Sequence, residues 1–371
     1  MKRIIFGGAF DPIHNGHINM ALSAARQIGG EVIFVPSKIS VWKTKSVEVK
    51  HKKKMVELAI KDYDCFSLSD FELTHKDNFV YSIFTIKHFI ELYPDDKIFY
   101  LIGGDQANKF HLWKYCDDIA KYAQILVFPR KDVKLSKKNV NRFNMIVLDG
   151  EERSDASVNI RDFKEIDIPY PVIQYIENNS LYYIPKLKEW YGDRYNHVRS
   201  VANLAYQIAR NNGFNPQKAY IAGFLHDLGK KAYIKDNENK FNNEYKEEIK
   251  FLNNEYGGQF KNLPLYAVHQ VIGVYYAKRD YGIEDPKILN AILYHCTGNE
   301  NMNWIEKIVY AADKIDPCRG YDSSKLIQAM MEDLDKGFIT VLKANIDYIN
   351  PKMKITGSNE FTNKCINYYL K

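Results

Sequence analysis

The first half of the chain alternates short β-rich apolar runs with helical patterns. An apolar stripe at helical spacing extends from Ile18 to Ile28, soon after the first of those runs. Alternation of this kind predicts an α/β, Rossmann-like fold in which a doubly wound parallel sheet carries helices on both faces. Ligands of such folds bind beyond the carboxyl ends of the strands. The predicted strands are Arg3–Phe6, Val32–Val35, Ile98–Ile102, Ile125–Phe128 and Met145–Leu148.

The hydrophobic pattern changes in the second half: from about Tyr195 onward, nearly every segment has the spacing of a helix. Asn215-Pro216 and Asp285-Pro286 are typical of a helix N-cap followed by a first turn. We therefore predict an all-α second domain. The join is expected near Asn178–Glu189, where Pro185 interrupts the pattern, so the predicted domains are residues 1–183 and 190–371.

Length and composition agree with two domains. A chain of 371 residues exceeds what one hydrophobic core usually holds, and 46% hydrophobic with 26% charged residues is typical of a soluble globular protein. The apolar stretch near the amino terminus is cut short by Asp11, too early for a secretion signal, and no run is long enough to span a bilayer. Five scattered cysteines without a CxxC pair indicate a reducing cytosol, so we expect a cytoplasmic protein with no membrane partner.

The net charge of +6 is modest, and lysines cluster at Lys50–Lys54 and Lys131–Lys138. Aromatic residues are not interleaved with these runs and no nucleic-acid-binding motif is present, so we predict solvated surfaces and no nucleic-acid partner. Such surfaces also steer anionic nucleotides mildly toward a protein.

A glycine turn with two histidines follows the first predicted strand. The motif is GGAFDPIHNGH, from Gly7 to His17, and a helix is predicted to begin near Gly16. Glycines let a ligand approach the backbone closely, and a helix start directs N–H groups and its positive dipole end at an anion. His14 and His17 add further donors, so the whole motif predicts a phosphate site. An isolated histidine pair would as readily cap the helix, and no Walker motif is present.

The N-terminal half resembles the HxGH nucleotidyltransferases, and more closely the bacterial nicotinate mononucleotide adenylyltransferases. Besides the histidine motif, the resemblance includes Ile102 to Asp105, Val127 to Arg130 and Ser157 to Arg161. It implies that His14 and His17 grip the phosphates of ATP, which brings Mg²⁺, and that Arg161 acts with them. It also implies that nicotinate mononucleotide is the second substrate. The implied nucleotide-binding residues are Gly7, Gly8, Phe10, Lys43, Ser82, Gly103, Asp105, Trp113, Arg130 and Ser157.

The chain departs from that family at three motifs that contact substrate. The usual PPHK is Ser40-Val41-Trp42-Lys43, the usual SYT is Val80-Tyr81-Ser82, and the loop before Arg161 is thinned to Asp155-Ala156-Ser157-Val158. Adenylyl transfer mainly needs in-line positioning and charge neutralisation, and the phosphate-binding residues are retained. The choice between nicotinate and nicotinamide mononucleotide stays open.

The second half carries six residues of metal-ligand type, each on or beside an apolar helical stripe. Inward-facing imidazoles and carboxylates are costly unless they are paired, hydrogen-bonded or bound to a metal. One such histidine alone is more often an ordinary buried residue, whereas six together predict a metal centre. The six are His197, His226, Asp227, His269, His295 and Asp313.

This set resembles the HD phosphohydrolase superfamily over roughly residues 190–350, and the surrounding segments resemble the symmetrical diadenosine tetraphosphate hydrolases. The resemblance implies cleavage of diadenosine tetraphosphate into two ADP. Mixed imidazole and carboxylate ligation suits one or two transition metals, with iron favoured and manganese, cobalt or zinc as alternatives. Lys230, one helical turn beyond His226, is a candidate for reaching the polyphosphate. One metal would be held by His197, His226, Asp227 and Asp313, and a second by His269 and His295 with Asp227 as a bridge.

Alternatives for both halves stay open on the sequence alone. The first half could be a pantetheine-phosphate adenylyltransferase or a cytidylyltransferase. The second could hydrolyse a deoxynucleoside triphosphate, a guanosine polyphosphate or a cyclic nucleotide, or could act as a nucleotide sensor without catalysis. A homo-oligomer is equally open.

Overall fold

The computed structural model describes residues 1–38, 46–131, 133–150, 157–232, 246–255, 263–356 and 359–371. These residues form two compact units. Unit 1 comprises Met1–Arg161 and Asp167–Tyr182, and unit 2 comprises Asp162–Ile166 and Tyr183–Lys371. Each unit has its own hydrophobic core.

The segment Asp162–Ile166 differs from the predicted single boundary, because it belongs to unit 2 although it lies within the first 183 residues. The segment contains Phe163, whose ring is wholly buried. It packs against Tyr183 and Phe224 at ring-centroid distances of 4.3 and 5.8 Å. The Phe163 ring is thus buried among aromatic side chains of unit 2.

Unit 1 is built on a six-stranded sheet in which every neighbouring pair is parallel. Its strands are β1 (Lys2–Gly8), β2 (Glu31–Pro36), β3 (Phe66–Leu68), β4 (Lys97–Gly103), β5 (Gln124–Phe128) and β6 (Ile146–Val147). Their spatial order is β3-β2-β1-β4-β5-β6. The predicted α/β class is therefore confirmed. The three residues of β3 are too few to show the alternation that reveals a strand in sequence.

Helices connect these strands, and the first of them begins where β1 ends. The helix from Asn15 to Ile28 buries Ile18, Ala21 and Ala24 on one face, as its apolar stripe predicts. Its end is Gly29, whose φ of 73° is in the left-handed region that glycine adopts without strain. The helices of unit 1 are α1 (Asn15–Ile28), α2 (Val49–Ile60), α3 (Phe71–Thr74), α4 (Ser82–Leu92), α5 (Gly104–Lys109), α6 (Cys116–Tyr122), α7 (Lys137–Arg142), α8 (Ser157–Arg161) and α9 (Tyr170–Asn178).

The strand order changes direction between β1 and β4, which lie side by side at the centre of the sheet. In doubly wound sheets, such a switch point opens a crevice at the carboxyl ends of the strands. β1 ends at Gly8 and β4 ends at Gly103, so the glycine turn and the IGGD segment meet at this crevice.

The described residues of unit 2 form helices joined by loops, with no strand among them. The predicted N-caps are confirmed, because the Asn215 and Asp285 side chains accept hydrogen bonds from the N–H groups of Lys218 and Lys287, each at 2.9 Å. Pro185 does not interrupt a helix; it lies in the first turn of one, where its missing N–H costs nothing. The helices are α10 (Ile184–Tyr191), α11 (Tyr195–Asn211), α12 (Pro216–Leu225), α13 (Lys246–Glu255), α14 (Leu265–Tyr281), α15 (Pro286–Tyr294), α16 (Trp304–Lys314), α17 (Ser324–Glu332), α18 (Leu334–Thr356) and α19 (Glu360–Leu370).

Among the helices that the structure describes, none combines the length and the apolar character needed to cross a bilayer.

One lysine of the run Lys50–Lys54 contradicts the prediction of a solvated surface. The side chain of Lys52 is wholly buried on α2. Its Nζ donates to the carbonyl oxygens of Ser37 and Lys38 at 3.2 and 2.9 Å. Burial lowers the pKa of Lys52, and the nearby Asp11 carboxylate opposes that change.

Candidate functional site

The two histidines of the glycine motif lie together at the start of α1. Their rings are 3.6 Å apart between centroids and inclined by 35°. The peptide N–H of His14 donates to Nδ1 of His17 at 3.2 Å, and the N–H of His17 donates to the carbonyl of His14 at 3.0 Å. Because Nδ1 of His17 accepts a hydrogen bond, the neutral ring carries its proton on Nε2, the atom that can donate to a phosphate. The histidines therefore cap the helix and can also serve an anion at its positive end, since the first turn holds no acidic residue.

We expected the two glycines of the turn to leave space for a ligand. On the side where a Cβ would stand, that space is filled by side chains of the protein. A Cβ on Gly7 would lie 2.8 Å from the Tyr100 hydroxyl oxygen, and one on Gly8 would lie 3.0 Å from the Phe10 ring. Both residues are needed to admit these aromatic side chains. The Phe10 ring is itself buried against Phe34 and His17, which leaves its backbone as the part that could meet a nucleotide.

Two residues from α8 reach the same turn. The Arg161 guanidinium donates to the carbonyl oxygen of Asp11 at 2.6 Å, and the Ser157 hydroxyl donates to the carbonyl of Pro12 at 3.3 Å. The Asp11 carboxylate is wholly buried, and its Oδ1 accepts a hydrogen bond of 2.7 Å from the Tyr182 hydroxyl. The turn between β1 and α1 is thus held by side chains that follow it by more than 140 positions.

Tyr100 on β4 connects three residues that the resemblance assigns to nucleotide binding. Its hydroxyl oxygen lies 2.8 Å from the place where a Cβ on Gly7 would stand. The same hydroxyl donates a hydrogen bond to the Ser82 hydroxyl at 3.0 Å. Its ring packs edge-on against Trp113, with centroids 6.3 Å apart. Trp113 is half-buried at the edge of the core and keeps part of its surface exposed.

The remaining candidates of unit 1 lie around the end of β4. Gly103 precedes the first turn of α5, and the half-exposed carboxylate of Asp105 lies 3.7 Å from a guanidinium nitrogen of Arg130. Lys43 and the Ser40–Lys43 motif lie outside the described residues, as do Asp155 and Ala156.

Unit 2 gathers all six residues of metal-ligand type into one buried cluster. His197 lies in the first turn of α11, His226 directly follows α12, and His269 lies within α14. His295 directly follows α15, and Asp313 lies near the end of α16. Their exposed fractions range from 0% for His226 to 6% for Asp313, apart from His197, whose side chain is 16% exposed.

The ligand atoms form two groups that share Asp227. One group contains His197, His226 and Asp227, and the other contains Asp227, His269 and His295; within each, one ligand atom per residue lies within 4.8 Å of the others. Oδ2 of Asp227 lies 3.6 Å from Nε2 of His226. Oδ1 lies 3.4 and 3.5 Å from Nε2 of His269 and of His295. The two oxygens of one carboxylate thus face different histidine pairs.

Asp313 joins the first of these groups. Its Oδ1 lies 3.2 Å from Nε2 of His197 and 3.8 Å from Nε2 of His226. Ligands around a transition metal stand about 2 Å from the ion, so neighbouring ligand atoms are separated by distances of this order. Nε2 of His226 is buried without a hydrogen-bond partner among the described residues, as a nitrogen reserved for a metal would be. The donor set therefore fits a divalent transition metal.

Protonation at neutral pH also favours metal ligation by the deepest histidines. Burial lowers the pKa of His226 to about 4 and lowers those of His269 and His295. For His197, burial acts in the same direction, but hydrogen bonds to the carboxylates of Asp313 and Asp316 raise the pKa to about 9. A metal must therefore displace a proton from His197, whereas the other three rings are neutral ligands already.

Cations surround the carboxylates of the cluster. Arg194 donates to Oδ2 of Asp227 at 2.6 Å, and the Lys314 ammonium donates to Oδ2 of Asp313 at 2.8 Å. Arg319 also contacts the Asp313 carboxylate. Burial alone would raise the pKa of Asp313, but the Lys314 ammonium, the hydrogen bond with His197 and the Arg319 guanidinium hold it well below its usual range. Lys230 is only half-buried, and its backbone N–H bonds to the carbonyl of Asp227.

For several residues around the two clusters, the sequence alone does not predict a role. Arg194 and Asp316 lie within three residues of predicted ligands, in segments that resemble the HD superfamily, but the sequence indicates no particular role for either. No sequence pattern indicates a role for Tyr100 or Tyr182, because their partners Ser82 and Asp11 lie 18 and 171 residues away in the chain.

Two family models match the two units. Residues 5–178 match the cytidylyltransferase-like family, and residues 194–318 match the HD domain. The fold and the two clusters therefore define a two-domain protein in which a nucleotidyltransferase-like domain precedes an HD domain.

Relatives resemble the chain over nearly its whole length. It is 32% identical over 355 residues to a protein of Mycoplasma genitalium named "Probable nicotinate-nucleotide adenylyltransferase/Ap4A hydrolase", covering 92% of this chain and 97% of that protein. A Mycoplasma pneumoniae protein of the same name is 26% identical, with 92% and 98% covered. The chain belongs to this family of nicotinate-nucleotide adenylyltransferase/Ap4A hydrolases.

The N-terminal half also resembles proteins that lack a second half. A Clostridium botulinum protein named "Probable nicotinate-nucleotide adenylyltransferase" is 34% identical over 203 residues, which cover 49% of this chain and 99% of that protein.

Proposed function

We propose that the chain is a bifunctional nucleotide enzyme with one active site in each unit. Unit 1 transfers the adenylyl group of ATP to nicotinate mononucleotide, which releases pyrophosphate and forms nicotinate adenine dinucleotide. Unit 2 hydrolyses diadenosine tetraphosphate, with one water, to two ADP. The observation that carries the proposal is the coexistence, in a chain of this family, of a histidine pair at a helix start and a buried six-ligand cluster.

In unit 1 a phosphate oxygen of the mononucleotide attacks the α-phosphorus of ATP. The new O–P bond forms as the bond to the bridging oxygen of the β-phosphate breaks, and pyrophosphate leaves. His14, His17 and the start of α1 face the accumulating negative charge with N–H donors and a positive dipole end. Arg161 adds a fixed positive charge beside the same turn. Such positioning and charge stabilisation suffice, because the acceptor phosphate supplies the nucleophile.

The pyridine ring of the acceptor is expected beside Trp113, which is partly exposed and packs against Tyr100, whose hydroxyl donates to Ser82. Asp105 and Arg130 are the proposed contacts for the rest of the nucleotide, together with the backbone of Gly7, Gly8, Phe10 and Gly103. The Mg²⁺ of this reaction enters with ATP.

In unit 2 the proposed metal ligands are the six residues of the cluster. His197, His226, Asp227 and Asp313 would hold one ion, and Asp227, His269 and His295 a second. When bound, the metals supply an activated water and positive charge opposite the phosphate oxygens. Arg194 and Arg319 contact carboxylates of the cluster, and the Lys230 charge acts on His269; we expect these three cations to hold the polyphosphate chain. Iron is the favoured metal, and manganese, cobalt and zinc suit the same ligands.

We also propose a cytoplasmic location, which the five unpaired thiols support.

The proposal is tested by incubating the full-length protein with ATP, Mg²⁺ and nicotinate mononucleotide, and separately with diadenosine tetraphosphate and Mn²⁺. Chromatography is expected to show nicotinate adenine dinucleotide with pyrophosphate in the first reaction and ADP alone in the second. Nicotinamide mononucleotide serves as the comparison acceptor. Formation of ATP and AMP from the tetraphosphate would contradict symmetrical cleavage, and failure to form any dinucleotide would contradict adenylyl transfer.

A further inference from the structure

Two buried histidines of the metal cluster share one mode of orientation. Nδ1 of His226 lies 2.6 Å from the carbonyl oxygen of Gly223, and Nδ1 of His295 lies 2.8 Å from that of Ile292. Each carbonyl belongs to the turn just before the histidine. Because a carbonyl can only accept, each Nδ1 carries the proton and each Nε2 keeps the lone pair that a metal needs.

His197 is oriented differently. Its Nδ1 lies 2.6 Å from Oδ2 of Asp316, a carboxylate three residues beyond the predicted ligand Asp313. Asp316 is wholly buried. Its Oδ1 accepts hydrogen bonds from the Ser200 hydroxyl and from the peptide N–H of Cys318, the latter at 3.1 Å. The carboxylate is therefore fixed from two sides before it meets the imidazole.

A carboxylate partner has a stronger effect on an imidazole than a carbonyl does. It fixes the tautomer and the ring plane, and it makes the opposite nitrogen a better donor to a metal. Loss of such a partner typically weakens metal binding by about 10- to 100-fold. Among the histidines of the cluster whose Nδ1 contacts are described above, His197 is the one that has a carboxylate in this place.

We propose that Asp316 is a positioning residue of the metal centre: it holds His197 with the proton on Nδ1 and so strengthens metal binding by the group formed with His226, Asp227 and Asp313. The inference rests on the proposed metal centre of unit 2. Asp316 does not itself contact the metal or the substrate; it acts through the imidazole.

The substitution Asp316→Asn separates this role from mere support of the turn. With its amide oxygen toward Ser200 and Cys318, the new residue directs its NH₂ group at His197. Nδ1 must then accept, the proton moves to Nε2, and the lone pair facing the cluster is lost. Ser200→Ala removes a hydrogen bond from the same carboxylate but leaves the contact with His197. Asp322→Asn, at an exposed cap on the N–H of Ser324, is the matched control.

Zinc binding to the full-length variants is measured by competition with a chromogenic chelator. Asp316→Asn is expected to weaken one zinc-binding step by about 10- to 100-fold, while Ser200→Ala has a smaller effect and Asp322→Asn none. The zinc-loaded wild type should also show a downfield imidazole N–H proton resonance for His197 that Asp316→Asn lacks and Ser200→Ala retains. Thermal unfolding of the metal-free proteins checks that each variant is folded.

Zinc binding by Asp316→Asn at wild-type strength, or an unchanged N–H resonance, would overturn the proposal. Equal weakening by Ser200→Ala and Asp316→Asn would overturn it as well, because the loss would then come from the turn. Failure of the wild type to bind zinc at all would instead contradict the metal centre on which the inference rests.

Discussion

Glu72 on α3 is the buried carboxyl of unit 1 from which we predict the pH dependence of stability. It is 7% exposed, and its Oε1 accepts a hydrogen bond of 2.7 Å from the Thr85 hydroxyl. Burial raises the pKa of Glu72 from its ordinary 4.5 to about 7, and the bond from Thr85 offsets only part of that change. The difference corresponds to about 3 kcal/mol at 1.36 kcal/mol per pH unit.

The sign of the effect follows from proton binding. The folded protein holds a proton on Glu72 over a pH range in which the unfolded chain has lost it. The contribution to stability is therefore fully present below pH 4.5 and is lost as the pH rises through 7. Glu72→Gln cannot ionise and keeps the acceptor for Thr85. We expect this variant to exceed the wild type in unfolding free energy by about 3 kcal/mol at pH 8 and by less than about 1 kcal/mol at pH 5.

Hydrogen exchange of the β4 amides, read by mass spectrometry, reports the opening of unit 1 separately from unit 2. At pH 8 the exchange rate of these amides should be about 100-fold lower in Glu72→Gln than in the wild type, which is the same free-energy difference expressed as a ratio. Glu57→Gln, on the partly exposed face of α2, is the matched control. An equal rate ratio at pH 5 and pH 8 would refute the assignment of the effect to Glu72.

Three further predictions concern the supports of the two sites. Tyr182→Phe removes the hydroxyl that donates to the buried Asp11 carboxylate, so we expect a loss of about 1–3 kcal/mol in the stability of unit 1, measured by β4 exchange, with unchanged tetraphosphate hydrolysis. Gly229→Ala would place a Cβ 2.0 Å from the carbonyl oxygen of His269, so we expect a lower unfolding midpoint of unit 2 and weaker zinc binding by chelator competition. Removal of metal with a chelator should abolish tetraphosphate hydrolysis and lower the unfolding midpoint of unit 2, and added Mn²⁺ should restore both; hydrolysis at full rate in the chelated protein would contradict the metal centre.

The sequence predicts best where a repeating pattern carries the information. The alternation of strands and helices predicts the parallel sheet, and helical periodicity predicts that the side chains of His269 and Asp313 face inward. The sequence predicts a residue's role poorly where that role depends on residues far away in the chain. The contact of Asp316 with His197 joins positions 119 residues apart, and the buried Lys52 sits in a run that is indistinguishable from a solvated lysine cluster.

The central claim is that two separate sites in one chain perform two reactions, and crossed single substitutions test it most directly. Both activities are measured on the same preparations of the wild type, His17→Ala and Asp227→Ala. We predict that His17→Ala lowers pyrophosphate release by about 100-fold or more and leaves the release of ADP from diadenosine tetraphosphate near normal, and that Asp227→Ala does the reverse. Loss of both activities in either folded variant would contradict the account.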